Sequence, residues 1–221
     1  MKRRKKFDND ISIIDPSRIE IRGNLKYGSN VEIDVNVLFQ GDVTLGDFVK
    51  VRANCIISNS SIANNSIIEP FTIIEDSSIG ENSLIGPYGR IRPKTNLGKN
   101  SKIGNFVEIK KSNIDCCCQI NHLSFIGDSE IGRNVTIGAG VITCNHNSAE
   151  INQTNIKKGT FIGSGVTLIA PIKLQANSMV GAGSTIVNEV PKNALVISRA
   201  KQASKKYSNS KNKSKKISKY E

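Results

Sequence analysis

Two histidines, His122 and His146, are the only side chains in the chain whose ordinary pKa, ~6.5, suits a proton-transfer group at neutral pH. Arg92 and Lys110 offer fixed positive charge for an anion and stand eighteen residues apart. Ser164 and Ala182 repeat that separation. The five cysteines, Cys55, Cys116, Cys117, Cys118 and Cys144, form neither CxxC knuckles nor a disulfide framework. Three adjacent cysteines cannot all turn to one metal, so they read as small semi-apolar fillers in a reducing compartment. A zinc centre of three histidines asks for more than the two present. No metal site is expected.

What positions these residues is a repeat. Aliphatic side chains recur every sixth residue: Ile79, Ile85, Ile91, Leu97, Ile103 and Ile109 form one series. Ile156, Ile162, Leu168, Leu174, Val180 and Ile186 form another. Between them Ile114, Ile120 and Ile126, then Ile131 and Ile137, keep the step after slips of one residue. Six suits neither the ~3.6 repeat of a helix nor the simple alternation of a strand. It suits a parallel β-helix, in which a short strand and a tight turn make one face and three faces close a rung of roughly eighteen residues. The residue after the key aliphatic falls at the turn, often as glycine (Gly80, Gly86, Gly98, Gly104, Gly127, Gly132, Gly138, Gly163 and Gly181). Glycine there would accept a positive φ and leave room at the corner. Hexapeptide repeats predict the left-handed, all-β form of this fold. A separation of eighteen then puts Arg92 and Lys110 on one face, one rung apart, and likewise Ser164 and Ala182.

The repeat runs from about Val43 to Ile186, after an irregular first rung from Ile19 to Phe39. It is interrupted once, by the polar stretch Asn145 to Asn155, which reads as a loop extruded from a turn. Residues 1–14 read as a loose basic leader, 15–200 as the β-helix domain, and 201–221 as a disordered lysine-rich tail. The net charge of +12 is concentrated in the ends, with five Lys or Arg in Lys2–Lys6 and eight Lys from Lys201 onward; the body is near neutral. Without stacking aromatics or a recognition motif, specific nucleic-acid binding is not expected. No apolar run approaches the ~20 residues of a membrane span and no signal peptide is visible; a cytoplasmic location is the expectation. Flat faces and a triangular section make a homotrimer the natural closed assembly.

Longer segments carry a resemblance. These are DPSRIEIRG (Asp15–Gly23), VEIDVNVLFQGDVTLG (Val31–Gly46), IGPYGRIRP (Ile85–Pro93), IGNFVEIKKS (Ile103–Ser112), NHLSFIGDSEIG (Asn121–Gly132) and NVTIGAGVITCN (Asn134–Asn145), with FIGSGVTLIAPI (Phe161–Ile172) and NALVISRA (Asn193–Ala200) closing the domain. Together they resemble the C-terminal acetyltransferase domain of the bifunctional N-acetylglucosamine-1-phosphate uridyltransferase/glucosamine-1-phosphate N-acetyltransferase. The likeness covers residues ~11 to 200. Nothing resembling the uridyltransferase half precedes Ile11, so that activity, and the magnesium it uses, are not expected.

The resemblance implies acetyl transfer from acetyl-CoA, a co-substrate rather than a resident cofactor, to the 2-amino group of glucosamine 1-phosphate. The product feeds UDP-N-acetylglucosamine and cell-envelope synthesis. His122 matches the general base, and Glu108 is a candidate to orient it. Arg92 and Lys110 match phosphate and sugar contacts, as Asn145 matches a contact at the mouth of the extruded loop. Ala139 matches a position whose backbone N–H faces the thioester oxyanion. Ser164, Ala182 and Arg199 match coenzyme contacts. Phe125 stands where the family has tyrosine, Thr136 where it has asparagine, His146 where it has tyrosine and Ile151 where it has lysine. The acceptor pocket is thereby thinned unless Lys157 or Lys158 compensates. Acetyl transfer to another amino sugar, and a non-catalytic trimeric scaffold partnering a separate uridyltransferase, are the alternatives.

Overall fold

The structure, a computed structural model, describes residues 5–8 and 10–205. The start of the basic leader and most of the lysine-rich tail lie outside the described residues.

The chain winds a left-handed parallel β-helix of about ten turns. One face is a sheet of twelve strands; the other two faces are joined in a sheet of seventeen, because the long strand Val37–Leu45 turns the corner between them. On the first face Ile68, Ile85, Ile103, Ile120, Ile137, Ile162 and Val180 lie in register, one above the next. The second face stacks Ile57, Ile74, Ile91, Ile109 and Ile126. The third stacks Ile62, Ile79, Leu97, Ile114, Ile131, Ile156 and Leu174. Both six-residue series are therefore the core, each member at most 4% exposed. Burying each such side chain contributes roughly 1.5–3 kcal/mol, and their stack holds the faces flat.

Of the two jobs expected of glycine at the corners, leaving room is the general one and positive φ the exception; Gly127 lies within the strand Phe125–Gly127 and not at a corner. Gly86 has a positive φ, +95°, but Gly98, Gly138 and Gly163 do not. They are needed for closeness: a Cβ on Gly163 would stand 2.5 Å from the amide nitrogen of Ala182 in the next rung. Left-handed geometry falls two residues later, chiefly on asparagine, as at Asn82, Asn100, Asn134 and Asn177. Asparagine tolerates that region through local bonding of its short side chain. Buried hydroxyls occupy the position before many of the strands. Ser66 Oγ, for example, donates to the Gly80 carbonyl and accepts from the Ser83 amide, so the turn amides stay paired.

The leader differs from its expectation. Residues Ile11–Ile13 form a strand that pairs in parallel with Val31–Ile33, and Ile11 is buried. The coil therefore starts before residue 15; the apolar pair Ile11 and Ile13 extends the first face by one strand. Cysteines alternate in and out: Cys55 and Cys118 are buried, Cys117 is exposed, and Cys116 and Cys144 are half-buried. Burial pushes the Cys55 and Cys118 thiols up to about 11. No helix among the described residues is long and apolar enough to cross a membrane.

Candidate active site

The first corner, between the first and second faces, carries most of the candidate residues in one column. His122 lies in the turn after the strand Gln119–Ile120 and before Phe125–Gly127. Its carbonyl accepts from Gly140 N–H at 2.8 Å, which sets Ala139 one rung above it. The Ala139 carbonyl accepts from Gly165 N–H at 2.8 Å, and that of Ser164 from Gly183 N–H at 2.8 Å. Ala139, Ser164 and Ala182 are thus consecutive steps of one ladder. The rung from Ile137 to Ile162 holds 25 residues, because the extruded loop is added to it, and the column stays in register all the same. Arg199 closes the ladder: its Nη1 donates to the Ala182 carbonyl at 2.5 Å. The amides of Ala139, Ser164 and Ala182 have no acceptor among the described residues. Ser164, Ala182 and Arg199 are exposed, as is His122.

Local packing fixes the His122 turn. Ser124 Oγ is shared by the His122 and Gly138 carbonyls, at 3.3 and 3.2 Å, and accepts from the Val141 amide. The imidazole lies over Gly104, where a Cβ would stand 2.9 Å from Nδ1. Nδ1 accepts a long hydrogen bond, 3.3 Å, from Asn105 N–H. Below it the same corner stacks the rings of Phe71, Tyr88 and Phe106, with centroids 4.9 and 5.0 Å apart.

The second face carries the acceptor candidates. The register Arg90↔Glu108 and Ile91↔Ile109 puts Arg92 directly under Lys110, one rung apart as the spacing requires. Lys110 is in turn under Gly127. Glu108 is engaged with Arg92 rather than His122, its Oε1 lying 2.7 Å from Nη1; two half-exposed groups of opposite charge on neighbouring strands take each other. Phe125 folds its ring along Gly127 toward the Asn145 amide, a Cβ on Gly127 being 2.9 Å from the ring and 2.8 Å from Asn145 Nδ2. Asn145 is held at the second corner, where Nδ2 donates to Asp128 Oδ2 at 2.5 Å. Thr136 does not join this face. It stands on the first face, between Gln119 and Phe161.

His146 is exposed at the base of the extruded loop, bridged to Ile151. Lys157 and Lys158 follow the third-face strand Thr154–Ile156 and lie at the third corner. That corner is across the prism from the second face, so within one chain they cannot replace the cation missing at Ile151. Sequence reasoning missed Ser124, Asn105, Gly104 and Asp128. The serine or threonine that recurs before many strands was a signal for Ser124; the other three act through contacts between rungs.

Among family models, the GMPPB C-terminal domain matches residues 21–114, and the hexapeptide repeat of succinyl-transferase matches residues 153–187. The bifunctional protein GlmU of Nitrosospira multiformis is 48% identical over 200 residues, which are 90% of this chain and 44% of the relative. That of a Marinomonas species is 50% identical over 199 residues, again 90% and 44%. The chain thus spans less than half the length of these relatives. Among solved structures, the Arabidopsis UDP-N-acetylglucosamine acyltransferase superposes with a TM-score of 0.71 at 17% identity, over 82% of this chain and 70% of that one. LpxA from Acinetobacter baumannii gives 0.59 at 18%, over 85% and 71%. At these identities the two structures speak to the fold alone.

Proposed function

We propose that this chain, which is 48% identical over 200 residues to the bifunctional protein GlmU of Nitrosospira multiformis, transfers acetyl from acetyl-CoA to the 2-amino group of glucosamine 1-phosphate. The observation that carries the reading is the single column of His122, Ala139, Ser164 and Ala182, with its unpaired amides and Arg199 at the end. Pantetheine laid along this ladder finds backbone donors at each rung, and Arg199 suits the coenzyme's phosphates. The Ala139 amide is available to the oxyanion that forms as the amine attacks the thioester carbonyl. His122, one rung away, takes the proton released by the amine. For Nε2 to accept it, the neutral ring must carry its own proton on Nδ1 and surrender the long contact from Asn105. Arg92 and Lys110 face the sugar phosphate, and Asn145 the sugar.

The ladder lies open on a convex corner. Beside it Phe161, Met179 and Leu195 stack in register on the first face, 43, 46 and 60% exposed, and Ile142 flanks it on the second. Apolar stripes of this kind suit cover by a second copy, and a homotrimer would wall the site from the neighbouring chain. The product would serve a cytoplasmic UDP-N-acetylglucosamine supply for the cell envelope. A thiol-release assay with acetyl-CoA and glucosamine 1-phosphate tests the activity. Turnover that disappears in His122→Ala supports it, and a parental rate in that variant removes the assigned base. The apolar Phe125 and Ile151 favour one alternative, an unphosphorylated amino sugar, which a preference for glucosamine in the same assay would establish.

A further inference from the structure

At the second corner, between the second and third faces, five successive rungs put a non-glycine residue in the left-handed region: Asn59 (φ 45°), Asp76 (42°), Lys94 (63°), Lys111 (47°) and Asp128 (48°). Asparagine and aspartate are suited to it, and here they are also tied down: Asn59 Nδ2 donates to Asp76 Oδ1 at 3.1 Å, and Asn145 Nδ2 to Asp128. Lysine has no short polar group to bond locally, so this backbone is strained for it. Yet two lysines occupy consecutive rungs. Lys111 N–H donates to the Pro93 carbonyl at 3.2 Å, which sets Lys111 over Lys94 at one strand spacing, ~4.8 Å. Like charges stacked this way repel.

Around the corner, Arg92 and Lys110 form a second like-charge pair in the same two rungs. Glu108 neutralises Arg92. The ammonium groups of Lys94, Lys110 and Lys111 have no ion pair or hydrogen bond among the described residues. Two strained lysines, one over the other and beside the unpaired Lys110, concentrate positive charge in adjacent rungs at a cost in stability.

We propose that Lys94 and Lys111 are phosphate-binding residues, which turn the Arg92–Lys110 pair into a two-by-two cationic array for the phosphomonoester of the acceptor. This rests on the acceptor reading above. It also supplies, from the same chain, the positive charge that Lys157, Lys158 and Ile151 do not.

Lys94→Gly and Lys111→Asn, singly and together, separate binding from folding, because both replacements suit a positive φ. Each variant should melt at or above the parental temperature. Each should raise KM for glucosamine 1-phosphate about fivefold, a figure set by the modest strength of exposed charge pairs. KM for acetyl-CoA should not move, and inorganic phosphate should become a correspondingly weaker competitor. An unchanged KM and unchanged phosphate competition in the double variant overturn the proposal. If the parent acetylates no phosphorylated acceptor, the acceptor reading fails and the array is judged by calorimetric titration with inorganic phosphate. Binding by the parent and loss in the double variant uphold the array; equal binding, or none by either, overturns it.

Discussion

Replacing Gly104 by alanine should damage the reaction while sparing the fold. Gly104 has no positive φ, so alanine fits its backbone, and the unfolded chain loses conformational freedom worth about 0.4–1 kcal/mol to stability. Against this, the new methyl meets His122 Nδ1 at 2.9 Å, Cε1 at 3.2 Å and the His122 amide nitrogen at 3.2 Å. The backbone must give by a few tenths of an ångström, and the ring must move by roughly half an ångström or more to reach ordinary contact. The two terms offset, and the net change in stability should stay within about 1 kcal/mol. The displaced imidazole loses its alignment with the amine. A misplacement of 1 Å costs about a hundredfold, so a smaller shift should lower kcat about tenfold. Thiol release with acetyl-CoA and glucosamine 1-phosphate measures the rate, and a thermal melt measures the fold. A parental rate would refute the reasoning. So would a rate loss accompanied by a fall in Tm of the size a core cavity causes, because the effect would then lie in the stack and not in the ring.

Ile109→Ala removes a fully buried member of the second-face stack, and should cost about 2–5 kcal/mol in denaturant unfolding; a change below 1 kcal/mol would mean that the rungs collapse around the gap. Arg199→Ala should raise KM for acetyl-CoA about tenfold by removing a charge-assisted contact, with KM for the acceptor as the control. At pH 8 a maleimide should label exposed Cys117 in the native protein and reach Cys55 and Cys118 only after unfolding, since both thiols are buried and pushed up to about 11. The same two groups should make stability fall as pH rises from about 9 through about 11. In that window the unfolded chain releases thiol protons that the folded one retains. A stability flat across it would place the native thiols in water.

The periodic part of this protein was plain in its sequence. Ile85, Ile91 and Leu97 announce three faces because a six-residue step admits one inward side chain per face, whatever the neighbours are. The eighteen-residue intervals likewise put Arg92 under Lys110 and Ser164 under Ala182, since a rung of constant length turns sequence separation into stacking. Even the 25-residue rung keeps the column of Ala139, Ser164 and Ala182 aligned, because the extra residues leave the coil at Asn145 and return at Thr154.

Contacts between rungs were not legible in the same way. Glu108 reads equally well as a partner for His122 or for Arg92, and only the register of the strands brings it to Arg92. Lys157 and Lys158 look available in a linear chain, yet the triangular section puts them across the prism from Lys110. Corner glycines suggest left-handed backbone, but the 2.5 Å approach of the next rung is what excludes a side chain, and the left-handed positions pass to Asn100, Lys94 and Lys111. Sequence alone thus determined the repeat, the core and the column that holds His122, because each follows from a period. Tertiary structure alone decided which charges are paired, which lysines share a corner and which nitrogen of His122 is engaged, because these depend on distances between turns that the sequence separates by a full rung.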